Sequence, residues 1–195
     1  MLASITPLGE RARGSRWGLT VGFYLLASTL AGAAAGALAG GLGELAWPGG
    51  GHAQLRVALL AGAIAVGLAL DLRGLLPTLR RQVNEDWLRQ FRGWVYGAGF
   101  GAQLGLGVTT IVTTSLVYVT LLAALLTGDL GAGALVGAVF GLARGATLLA
   151  GARVREPADL ARLHRAIDAW RPRVRATTLG AQLLLAVALL VAAGT

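Results

Sequence analysis

Seven side chains have the chemistry to form a polar centre inside an otherwise apolar chain. They are Asp71 in "GLALDLRGLL", Arg144 in "VFGLARGATLLAG", and Gln103, Thr109, Thr110, Thr113 and Thr114 in "GAGFGAQLGLGVTTIVTTS". A charge at membrane depth is costly unless it is paired or wet, so Asp71 and Arg144 are functional candidates by default. Either they pair across a helix bundle to gate or bind an anion, or their roles are local. In the local reading Arg144 snorkels to the headgroups and Asp71 pairs with Arg73 or ends its span. The threonines, with Ser115, bond back to free carbonyls or to a neighbouring helix. Gln182, in the last apolar run, adds an amide.

The glycines decide what those hydroxyls are for. Gly99, Gly101, Gly105 and Gly107 each weaken a helix by about 1 kcal/mol relative to alanine, so a break is expected near 105–110. Non-helical backbone at membrane depth is tolerated only where protein or a water cavity surrounds it. The break therefore marks either an internal packing site or a polar pathway.

The elements that position these groups follow from hydropathy. The chain has 195 residues, 55% hydrophobic and 13% charged, against roughly 25% charged in soluble domains. Apolar runs cover 17–42, 55–76, 94–126, 130–151 and 177–193. A helix needs about 20 residues to cross the hydrocarbon core. The third run is longer than that, so it is tilted, broken or interfacial at its start. The first is longer than a cleaved signal's 7–15-residue apolar region and reads as a retained span. The expectation is an all-α integral membrane domain with about five spans.

Fifteen of the 17 arginines lie before the first run, between the second and third, or between the fourth and fifth. The positive-inside rule then places the N-terminus in the cytoplasm, the C-terminus outside, and loops 77–93 and 152–176 inside. Trp17, Trp47, Trp87, Trp94 and Trp170 fall at span ends, where indole prefers the headgroup layer. Both loops carry amphipathic patterns: Leu79, Val83, Trp87 and Phe91 in one, and Leu160, Leu163, Ile167 and Trp170 after Pro157 in the other. They read as interfacial helices, as anchors for the spans or as docking surfaces for a partner.

Glycines also recur four apart: Gly93, Gly97, Gly101 and Gly105; Gly133, Gly137, Gly141 and Gly145; Gly32, Gly36 and Gly40. Residues four apart share one helix face, and a face without side chains lets another backbone approach. These faces argue for a tight bundle.

Several chemistries are excluded. The sequence has no cysteine, so it has no disulfide or thiolate chemistry. Its two histidines, His52 and His164, fall in expected loops and make no metal site. No catalytic motif is present, so neither an enzyme nor a cofactor is expected. The net charge of +8 comes from arginines that flank apolar runs, so the expected partner is lipid rather than nucleic acid.

Two stretches look alike: "ITPLGERARGSRWGLTVGFYLLASTLAGAAAGALAG" and "VTTIVTTSLVYVTLLAALLTGDLGAGALVGAVFGLARG", each followed by a span entered through arginine. On the topology above they run in opposite directions. The pattern resembles the transmembrane unit of the CcdA/DsbD thiol–disulfide electron transporters of cytochrome c biogenesis. The resemblance implies two inverted three-helix repeats, each with a Pro-Cys pair on its first helix. Thr6–Pro7 and Thr109–Thr110 fill those places. Both cysteines are missing, so dithiol electron transfer is not carried over. The first helix of the first repeat is absent or truncated, unless the start lies upstream.

Two functions follow as expectations for a multi-pass protein of a bacterial inner membrane. One is a transporter or permease for a small solute or ion, with the hydroxyl-rich break, Asp71 and Arg144 lining its path. The other is a non-transporting subunit or assembly factor, whose glycine faces grip a partner span and whose cytoplasmic helices hold a soluble partner.

Overall fold

The computed structural model of the chain describes residues 5–48, 51–76, 86–107, 112 and 114–194, and among these the regular structure is all helical. Helix α1 covers Pro7–Ala12, α2 Trp17–Ala46, α3 Ala53–Arg73, α4 Trp87–Gln90 and α5 Gly93–Gly105. Helix α6 covers Leu116–Thr127, α7 Leu130–Ala146 and α8 Pro157–Gly194; a 3-10 turn at Thr147–Gly151 extends α7. Helices are the only open-ended way to satisfy every backbone amide in lipid. Their ends follow local chemistry. Asp129 caps α7 by accepting from Ala132 N at 2.6 Å, whereas Gly74 and Gly128 end α3 and α6 in the left-handed region, at φ +66° and +61°.

Four helices among the described residues are long and apolar enough to cross a membrane: Trp17–Ala46, Ala53–Arg73, Leu130–Gly151 and Pro157–Gly194. The third apolar run is not a fifth continuous span. It is divided into α5 and α6, so the break expected near 105–110 begins at the end of α5, Gly105. Leu26, Leu38, Leu142 and Leu184 are among the many large apolar side chains left exposed on the outer surface. In water such a surface would aggregate; in lipid it is the solvated face.

Helix α2 is the centre of the bundle and packs against α5, α6 and α7. Its buried stripe includes Thr20, Tyr24, Ser28, Gly32, Gly36 and Gly40, one residue per turn. On α7, Gly133, Gly137, Gly141 and Gly145 are buried. A Cβ on Gly36 would overlap the Gly133 carbonyl oxygen and lie 2.9 Å from the Gly137 Cα. One on Gly137 would overlap the Gly32 carbonyl oxygen and lie 2.9 Å from the Gly36 Cα. On α5, a Cβ at Gly97 would lie 2.5 Å from the Thr20 carbonyl oxygen, and Cβ atoms at Gly101 and Gly105 would overlap those of Tyr24 and Ser28. Gly93 faces the Thr20 hydroxyl, and Gly145 faces Leu25 and Ser28. The reading in which these ladders grip a partner span is corrected: their faces meet other helices of the same chain.

Two further expectations change. Residues 157–176, expected as a loop carrying its own short helix, belong to α8, which runs unbroken through Pro172 to Gly194. Proline removes one helix hydrogen bond; here the freed carbonyl is that of Asp168, an exposed residue. Water can replace the missing bond, so the helix continues. His164, expected in a loop, lies on α8, with Nδ1 2.9 Å from the Leu160 carbonyl oxygen. At 1.5 Å per residue the 38-residue α8 is about 57 Å long, nearly twice the hydrocarbon thickness of about 30 Å. In the other loop, Trp87–Gln90 form one helical turn, whereas Leu79 and Val83 lie outside the described residues.

Candidate functional site

The broken third run holds the charges singled out in the sequence. Helix α5 ends at Gly105, and Arg144 of α7 reaches its last carbonyls. The guanidinium Nη1 donates to Leu104 O at 3.1 Å and to Gly107 O at 3.2 Å, and the group lies 5.4 Å from the Phe140 ring centroid. Gly107 is left-handed at φ +81° and packs under Phe140 and Val117. At the other side of the break, Asp71 of α3 holds the start of α6. Its carboxylate accepts from Ser115 N at 2.9 Å, Ser115 Oγ at 2.7 Å and Thr114 Oγ1 at 3.1 Å. Gln182 of α8 donates to it from Nε2 at 2.9 Å and shares that nitrogen with Ser115 Oγ at 3.1 Å.

The signs match the helix dipoles. Free carbonyls make a helix C-terminus partly negative and free amides make an N-terminus partly positive. A cation therefore closes α5 and an anion opens α6. The Asp71–Arg144 pair considered from sequence does not form: each charge is bonded to its own half-helix. Snorkelling is corrected for the same reason, since Arg144 turns to carbonyls of the bundle. Asp71 makes no ion pair with Arg73 among the described residues.

A third charge belongs to this system and was not singled out from the sequence. Arg56 of α3 donates to Leu126 O at 3.3 Å and Thr127 O at 3.2 Å, the last carbonyls of α6. Helix α3 thus holds both ends of α6, with Asp71 at the start and Arg56 at the finish. The available signal was the spacing of an acid and an arginine on a span that runs antiparallel to a half-length neighbour.

Of the remaining candidates, Gln103 is half-buried on α5, one turn before the break. Thr109, Thr110 and Thr113 lie outside the described residues. Thr114 lines a cleft of about 860 Å³ with Asp71, Val112, Trp170, Arg171 and Arg175. The cleft opens between α3, the start of α6 and α8, and Gln182 lies behind it, 2% exposed. The Gln182 Oε1 atom is buried with no hydrogen-bond partner among the described residues.

A second polar cluster sits where the sequence showed only a basic flank. Glu10 of α1 is fully buried. Tyr96 OH lies 2.6 Å from both of its oxygens, Thr20 Oγ1 donates at 2.7 Å, and Arg13 Nη2 pairs with it at 2.6 Å. Burial works against the Arg13 charge, but hydrogen bonds to Glu10 and Tyr96 outweigh it and hold Arg13 above its ordinary pKa. Thr6 caps α1 by accepting from Gly9 N at 3.1 Å, Pro7 occupies its first turn, and Leu8 N donates to Val154 O at 3.1 Å. The N-terminal segment is thereby fastened under α2 and α5. The missed signal was a single acid among Arg11, Arg13 and Arg16.

Known proteins resemble this chain in sequence. The profile of the cytochrome c biogenesis protein transmembrane region matches residues 3–166. The methylamine utilization protein MauF of Paracoccus versutus is 33% identical over 73% of this chain and 54% of its own length. MauF of Methylophilus methylotrophus is 33% identical over 73% of the chain and 52% of its own length. MauF of Paracoccus denitrificans is 39% identical over 56% and 40%. The chain thus spans about half the length, or less, of these curated relatives. No solved structure matches it significantly. With apolar spans, a discontinuous helix closed by charges at its two inner ends, and a match over most of its length, the chain belongs to the family of the cytochrome c biogenesis protein transmembrane region.

Proposed function

We propose that this multi-pass membrane protein is a non-transporting accessory factor that supports the biogenesis of another protein. The observation that carries the reading is the fate of Asp71 and Arg144. Both are spent on helix ends of the same chain, which is what a scaffold needs and leaves neither free to exchange a solute. Absence of cysteine removes dithiol electron transfer. The family description speaks of biogenesis and the name shared by the relatives of methylamine utilization, and both support an accessory role.

The arginine-rich ends of the helices face the cytoplasm of a bacterial inner membrane, following the positive-inside rule. In this reading the two halves are inverted repeats, which the packing of α2 on α7 and of α3 on α8 supports. The half of α8 that stands clear of the bilayer offers the partner its surface. Two tests apply. Affinity-tagged chain extracted in mild detergent is expected to bring down a stoichiometric partner. A deletion strain is expected to lose the mature form of at least one exported protein. A purified, partner-free chain that moves a solute into proteoliposomes would overturn the reading.

The transporter alternative keeps one observation in its favour, the cleft that reaches Asp71 from the arginine-rich end. It predicts that Thr109→Val/Thr110→Val/Thr113→Val abolishes uptake while leaving the protein folded.

A further inference from the structure

A second cleft, of about 800 Å³, lies away from the break between α5 and α6, where α2 and α5 begin. Its walls include Arg13, Arg16 and Arg92, and its rim includes Leu19, Phe91 and Trp94. We propose that it binds the phosphate headgroup of an anionic phospholipid, with the acyl chains running down the rim. This goes beyond the accessory role and does not depend on it.

Charge is the first argument. Arg13 is matched by buried Glu10, but Arg16 and Arg92 form no ion pair among the described residues. Glu10 shows the cleft no free oxygen, since both are taken by Tyr96, Thr20 and Arg13. Arg16 and Arg92 also immediately precede α2 and α5, and neither helix has an acid in its first turn. Two cations and two positive helix ends thus share one cleft with no free anion among the described residues, and mutual repulsion disfavours that arrangement until an anion enters.

The rim is the second argument. Leu19, Phe91 and Trp94 are 49%, 45% and 43% exposed, and Trp94 packs on Phe23 at 5.6 Å. A soluble anion would satisfy the arginines and leave this rim bare. A phosphate carrying acyl chains satisfies both. The position suits it too: basic pockets between helices at the cytoplasmic interface are where acidic headgroups settle.

The test uses the full chain in neutral detergent. Dioleoyl-phosphatidylglycerol is titrated in, and bound lipid is read by native mass spectrometry. Arg16→Gln/Arg92→Gln is expected to weaken binding about tenfold or more, whereas Arg16→Lys/Arg92→Lys and the distant Arg171→Gln/Arg175→Gln stay within a few-fold of the parent. Phosphatidylcholine is expected to bind weakly throughout. Unchanged affinity in the glutamine pair, equal loss in the lysine pair, or displacement by millimolar inorganic phosphate would each overturn the proposal, the last by identifying a site for free anions. A photoactivatable phosphatidylglycerol tests the unaltered chain, whatever the variants do. Labelling near Leu19 or Phe91–Trp94 supports the site, and labelling confined to other regions refutes it.

Discussion

The seam between α2 and α7 and the junction of α3, α6 and α8 close the same bundle by opposite means. In the seam, backbone lies on backbone: Gly32, Gly36 and Gly40 meet Gly133 and Gly137 with no side chain between them. Among the described residues one side-chain hydrogen bond crosses it, from Ser28 Oγ to Gly141 O at 2.7 Å. The junction is built from side chains, with Asp71, Thr114, Ser115 and Gln182 in one network and Arg56 at its far end. Lipid is as apolar as leucine, so helices in a bilayer gain little by hiding apolar surface from it. What remains is close packing or hydrogen bonding. The helices packed on α2 use the first here, α5 included, and the interruption between α5 and α6 adds the second, because it exposes amides and carbonyls that must be met.

If that contrast is right, the largest effect lies in the seam. Gly137→Leu forces a side chain into the Gly32 carbonyl and the Gly36 backbone, neither of which can rotate away. The variant is expected to lose about 3 kcal/mol or more and fail to elute as a monodisperse species. Normal elution and melting would break the comparison at once. Asp71→Ala strands the donors of Thr114, Ser115 and Gln182 and is expected to cost about 2–3 kcal/mol in detergent melting. Paired with Gln182→Ala it should show coupling above about 0.5 kcal/mol; strict additivity would mean that the junction is no network. Ser28→Ala removes the side-chain bond from Ser28 to Gly141 across the seam and is expected to cost about 0.6 kcal/mol. A much larger loss would mean that the seam leans on side chains after all. The smallest effect belongs to Gly22, where an added Cβ meets nothing within 4 Å. Gly22→Ala is expected to be neutral or to stabilise by up to about 1 kcal/mol, and matching the damage of Gly137→Leu would dismiss sterics as the cause.

Much of this plan is written in local patterns. Uncharged runs mark the spans, the glycines before Leu106 mark the break, and an acid and an arginine inside apolar runs mark the polar centre. Pairing is what the sequence withholds. Three glycine ladders of one period do not say which face meets which, and the partners of the α5 ladder are the carbonyls of Thr20, Tyr24 and Ser28, which no side-chain pattern advertises. Asp71 and Arg144 attract each other on paper; in the fold, helix ends satisfy each more closely. Glu10 was hidden because burial depends on the N-terminal segment folding back beneath α5. Pro172 does not end α8, because the carbonyl it frees belongs to exposed Asp168.

The double hold of α3 on α6 works as a ruler. Asp71 follows Arg56 by fifteen residues, about 22 Å of helix, and the twelve residues of α6 with their flanking turns fill that interval. One residue inserted into α6 would lengthen it by about 1.5 Å and turn its far end by about 100°, so that only one grip could close. The length of the half-helix is thus set by its neighbour.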